Sequence, residues 1–153
     1  MTTPTPVPDA APLFTVEQAN RMLPLVRRIV TDIVTDYRAW RDAVRAYEAQ
    51  KGSPRGDPAR VAALAREVRR LAADVEHYVG ELTALGLQCK GLDDGLVDFP
   101  GMMDGEPACL CWKLDEPAVA WWHRPEAGFA GRQPIVPNGP DTAHATHAAE
   151  AAR

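Results

Sequence analysis

Two tryptophans, a histidine, a glutamate and an arginine surround a glycine loop in WWHRPEAGFAGRQP, residues 121–134. That mixture suits two kinds of chemistry. His123, joined by Asp93, Asp98 and Glu126 from nearby turns and strands, would make a mixed nitrogen and oxygen set fit for Zn, Fe or Mn. Lys90 and Arg132 would hold an anionic small molecule, the Arg132 fork matching a carboxylate or phosphate. Trp121 or Trp122 would wall such a pocket, and Gly128 and Gly131 would let backbone approach the ligand. The plain alternative is that Asp93 and Asp94 serve a turn, Glu126 pairs with an arginine, and His123 makes a structural hydrogen bond. No compact ligand spacing such as H-E-x-x-H decides between them.

The thiols offer a second set. Cys89, Cys109 and Cys111, completed by His123, have the composition of a zinc site. A C-x-C on a strand is not the C-x-x-C knuckle, however, and cysteine is also a common small buried hydrophobe. Nucleophilic catalysis has less to work with: Ser53 is the only serine, it sits in a loop, and no G-x-S-x-G elbow occurs. Phosphate-loop and dinucleotide fingerprints are absent.

These side chains need elements to position them. Residues 1–12 carry four prolines and read as a disordered arm. Thr15 then caps a helix, with Gln18 completing a capping box. From Val16 through Leu23, Val26, Val30, Ile33, Tyr37, Trp40 and Val44 to Tyr47, apolar residues recur every three or four positions, the pattern of a coiled-coil face. This predicts a helix over 15–49, kinked early by Pro24. QKGSPRGDP makes 50–57 a loop. A second stripe from Val61 to Leu85 predicts a helix over 58–85, ended by Gly86. LQCKGL, GLVDFP, PACLCWKL and AVAWWHR then read as strands of an antiparallel β-meander over 87–133.

A two-residue turn at Asp104 and Gly105 would set Asp98 opposite Cys111, with Cys109, Cys111 and Lys113 on the same face. Trp121 and Trp122 must face opposite ways, one toward the helices. The expected fold is therefore α+β, a single domain over 13–135 made of a long antiparallel helical hairpin and a small sheet. A sheet this size leaves much of a roughly 50 Å hairpin uncovered, so a homodimeric four-helix bundle is expected. Residues 136–153, including His144 and His147, read as a disordered tail.

Bulk properties narrow the partners. A net charge of −4, with 14 Arg and 3 Lys interleaved with acids, speaks against a nucleic-acid surface. The start shows no secretory pattern and no run is long enough to span a membrane. An odd number of cysteines fits reduced thiols, so a cytoplasmic location is expected.

The blocks FTVEQANRMLP, GLVDFP, LCWKLDEP and WWHRPEAGFAGRQP, in this order, resemble a bacterial family known as domain of unknown function 2203, over residues 14–135. The resemblance implies a long helical hairpin followed by a small sheet and brings no activity with it. The chain departs from the family pattern at Asp115, where the turn before Glu-Pro usually carries glycine. Two functions follow as expectations: a non-catalytic module binding a protein partner or small ligand, or a metal-dependent enzyme using His123 and the acids.

Overall fold

The computed structural model describes residues 12–136. The expected arm and tail, with His144 and His147, fall outside the described residues apart from Pro12 and Val136. Thr15 caps α1, Val16–Lys51, and the capping box is complete: its hydroxyl accepts from the Gln18 N–H, and the Gln18 side chain accepts from the Thr15 N–H. The helix runs unbroken through Pro24, which lies on the exposed side where the missing N–H faces water. Asp57 caps α2, Pro58–Ala84, with proline in the first turn, where its missing donor costs nothing. Gly86, at φ +84°, reverses the chain after α2.

A five-stranded antiparallel sheet follows in meander order: β1 (Gln88–Gly91), β2 (Leu96–Met103), β3 (Glu106–Trp112), β4 (Trp121–His123) and β5 (Gln133–Pro134). Asp104 and Gly105, at φ 53° and 74°, form the tight β2–β3 turn with both residues left-handed, as such a hairpin requires. The resulting register sets Asp98 opposite Cys111, as the turn chemistry predicts. Asp115 does not take a positive φ, so its turn needs no glycine. The outer strands are short: β1 carries a register shift between Cys89 and Gly91, and β5 has two residues, one of them proline.

The sheet lies on the base of the hairpin. Val97, Phe99, Leu110, Trp112 and Trp122 point inward and bury against Ala19, Leu23, Val26, Val30 and Leu82. Gly95 marks the closest approach, since a Cβ there would meet Val30 Cγ1 at 2.6 Å and Leu114 Cβ at 2.8 Å. Just before α1, the Phe14 N–H donates to the Pro100 carbonyl and the Phe14 ring meets Phe99 edge-on. The buried residues of α1 end at Val34. Beyond it, residues 35–51 have α2 and, up to Arg41, the β1–β2 turn to pack on, and their apolar side chains stay half-buried.

Candidate functional site

The face of the sheet turned away from the helices collects the chemistry. Alternation places Asp98 on β2, Cys109 and Cys111 on β3, and Trp121 and His123 on β4 on this side. His123 is the register partner of Cys109, and Cys111 that of Trp121. Asp98 and His123 reach toward each other across β3, His123 Nε2 lying 3.0 Å from Asp98 Oδ1. The other ring nitrogen, Nδ1, is 2.8 Å from the Arg124 carbonyl oxygen. A carbonyl only accepts, so Nδ1 carries a proton and Nε2 is the nitrogen presented to Asp98.

Cys111 completes a compact group. One ligand-capable atom from each of Asp98, Cys111 and His123 lies within 4.8 Å of the other two. All three are sealed, at 2%, 0% and 3% exposure. Burial, and after it the negative charge of Asp98, push the Cys111 thiol up to about 12. A thiol so held is a poor nucleophile, which argues against thiolate catalysis here. Burial also raises the Cys109 thiol, with Asp98 and Glu126 adding to the rise and Lys90 opposing it. Lys90 and Glu126 thus border Cys109, but both are exposed.

The loop after β4 folds back over this outer face. A 3-10 turn, Phe129–Gly131, stacks Phe129 over the Arg132 guanidinium at 4.9 Å, and Trp121 lies on it at 4.8 Å. Glu116 meets the Arg132 fork with two bonds of 2.7 and 2.9 Å, and a third bond of 3.3 Å reaches the Cys111 carbonyl. Burial is the largest single influence and works against the Arg132 charge, but the hydrogen bonds and charge of Glu116, together with Cys111, outweigh it and the pKa rises above its ordinary value. In this structure a carboxylate from the chain itself, Glu116, fills the bidentate position expected to hold an anionic ligand.

Of the expected metal set, the fold brings His123 and Asp98 together and leaves two members elsewhere. The Asp93 carboxylate pairs with Arg38 and Arg41 of α1, 3.6 and 3.1 Å away, because the β1–β2 turn faces the helix. Glu126 lies in the exposed turn that starts the returning loop. Cys111 lies with His123 and Asp98 instead, a residue the sequence groups as a candidate ligand with Cys89, Cys109 and His123 and not with Asp98. Cys89 points toward the helices and belongs to the core. The tryptophans divide as alternation requires, Trp122 inward under Arg124 and Trp121 outward under Arg132.

Three positioning residues escaped the sequence reading. Asn20 of α1 accepts from the Val119 N–H at 2.8 Å and donates to its carbonyl at 3.3 Å. Arg27 donates to the carbonyls of Leu114, Glu116 and Pro117 and covers the Trp112 ring. Together they hold the β3–β4 loop to α1 and so fix where β4 begins. Arg124 donates to the Met103, Glu106 and Pro107 carbonyls around the β2–β3 turn. Their one sequence signal is that Asn20 and Arg27 stand seven apart beside the apolar stripe.

A family model described as "Uncharacterized conserved protein (DUF2203)" matches residues 12–135. No curated protein and no solved structure matches the chain. No helix of the described residues is long and apolar enough to cross a membrane.

Proposed function

We propose that this chain, which belongs to the DUF2203 family, is a non-catalytic binding module that assembles with a second copy of itself through the helical hairpin. One observation carries the reading. The stripe of α1 continues through Trp40, Val44 and Tyr47 to the tip, yet its buried residues stop at Val34. Two helices cannot enclose such a stripe, and a four-helix arrangement can. The sealed Asp98, Cys111 and His123 support a role without catalysis, because no substrate atom reaches them in this conformation.

Size and charge favour an antiparallel pairing. The distal 17 residues of α1 span roughly 25 Å, and a hairpin roughly 20 Å wide offers on the order of 500 Å² per copy there. A standard interface takes about 800 Å² per partner, so the overlap must continue onto the base of the partner's hairpin. A groove of about 500 Å³ lies there, lined by Leu25, Ile29, Tyr78 and Leu85 and rimmed by Arg28, Asp32 and Glu81. Residues 35–72 carry nine Arg and Lys against five Asp and Glu, whereas the base of the hairpin, residues 16–34 with 73–85, carries five acids against three Arg. An antiparallel two-fold arrangement lays each basic tip on the partner's acidic base.

Sedimentation velocity of the tag-free chain at micromolar concentration tests this. The expected result is a dimer that weakens as salt rises, and that Leu25→Glu converts to a folded monomer. A monomer at tens of micromolar in low salt would end the proposal.

A further inference from the structure

Independently of how copies pair, the outer face of the sheet has a use for its buried donors. We infer that Asp98, Cys111 and His123, with Cys109 as fourth donor, form a closed structural site for one zinc-type divalent ion. Three adjacent strands each contribute a ligand-capable atom, and these atoms already lie within 4.8 Å of one another. Around zinc, with bonds of about 2.3 Å to sulfur and about 2.0 Å to nitrogen or oxygen, tetrahedral donors stand roughly 3.3–3.8 Å apart. The His123–Asp98 contact of 3.0 Å has only to open slightly, and the thiol has at most about an ångström to close.

The imidazole is prepared for the task. Its Nδ1–H is anchored on the Arg124 carbonyl, which fixes the tautomer and aims Nε2 at the other donors. No Arg or Lys side chain pairs with the buried Asp98 carboxylate among the described residues, so its partner in the fold is His123. Cys109 stands on the same face, directly opposite His123 in the β3–β4 register and half-buried; its thiol lies outside the 4.8 Å group and, two residues from Cys111 on one strand, has to turn toward it for four donors to meet. Two thiols, one imidazole and one carboxylate select a borderline-soft tetrahedral ion over calcium or magnesium. The ion would displace the thiol protons and the one shared between His123 and Asp98, releasing them to solvent. Bound there, it stitches β2, β3 and β4 together without opening a path for substrate. It enters as the sheet forms, since the finished site is closed.

The test is to unfold the full tag-free chain in denaturant and reductant, then refold it with one equivalent of Co²⁺ or Zn²⁺. The expected results are one ion per chain in native mass spectra and, for Co²⁺, thiolate-to-metal charge-transfer absorption. His144→Ala with His147→Ala should leave both unchanged. Cys111→Ser should lower the absorption by at least about half, and Cys109→Ser, at a half-buried position the fold tolerates, should weaken binding by at least about tenfold. Should Cys111→Ser fail to fold, the wild-type spectrum and Cys109→Ser still decide. A wild-type chain that refolds without retaining the ion overturns the assignment, as does an ion bound without thiolate absorption. Undiminished binding by Cys109→Ser removes Cys109 from the site and with it the four-donor assignment.

Discussion

Replacing Arg132 by methionine is expected to lower stability by about 2–4 kcal/mol. Arg132 and Glu116 side chains are 12% and 16% exposed and share the two shortest bonds of the returning loop, so they count as a nearly buried pair. Removing one partner of a fully buried pair costs about 3–5 kcal/mol, and residual solvent access brings this pair to the lower end. Lost cation–π contact with Trp121 and Phe129, about 0.5–1 kcal/mol for each ring, forms part of that cost, and methionine offsets some of it by keeping much of the packing of the stem. Glu116→Gln leaves a buried guanidinium without its counter-charge and should cost about 1.5–3 kcal/mol. Once either partner is gone the other has less to lose, so the double variant should fall short of the summed single costs by about 1.5–3 kcal/mol. Urea unfolding followed by tryptophan fluorescence, at fixed protein concentration, supplies all four corners of the cycle. For a domain this size the Arg132→Met loss corresponds to a Tm drop of roughly 6–18 °C. Costs that add to within about 0.5 kcal/mol would refute the clamp as the element holding the loop on the sheet.

Three more outcomes are expected. Gly95→Ala combines φ +70° with a Cβ driven into Val30 and Leu114, and should destabilise by about 2–4 kcal/mol, read by the same urea titration; a loss under about 0.5 kcal/mol would contradict the close approach. Asn20→Ala strips the Val119 N–H of its acceptor and should cost about 1–3 kcal/mol while raising hydrogen exchange at Val119 selectively, so unchanged exchange there would count against the role given to Asn20. In the metal-free chain, alkylation should follow exposure and thiol acidity. Cys89 and Cys109, both raised by burial, should label more slowly than a free thiol and faster as pH climbs through 9, because only the thiolate attacks; Cys111 should label last, through unfolding. Mass mapping that found Cys111 modified first would contradict the sealing of the outer face by the returning loop.

What could be read from the chain follows the range over which each constraint acts. The three-and-four spacing and the capping residues are local, and the two helices appear within two residues of their expected ends. Asp104 and Gly105 dictate a turn by their own φ preferences, and that turn alone sets Asp98 against Cys111. The next step was not local. β4 has only three residues and follows an eight-residue connection, so its register depends on Asn20 and Arg27 gripping that connection from a helix about a hundred positions earlier. Without that grip, nothing in WWHRPEAGFAGRQP reveals that His123 falls opposite Cys109 and reaches Asp98. Asp93 was misplaced for a related reason. Turn composition shows that the chain reverses, not that the turn leans on the two arginines of α1. For Arg132 the fork chemistry is legible but not its partner in the fold, Glu116, which lies 16 positions back.

The blunt edges of the sheet bear on how the molecule behaves in a crowded solution. An open edge is a template on which a stray strand can be laid down, and repetition of that event is the start of fibril growth. Here one edge is four residues interrupted by a bulge and bearing Lys90, and the other is two residues ending in a proline with no N–H to offer. Neither presents a ladder long enough to recruit another chain. Strand-by-strand accretion is thus discouraged at both ends of the sheet.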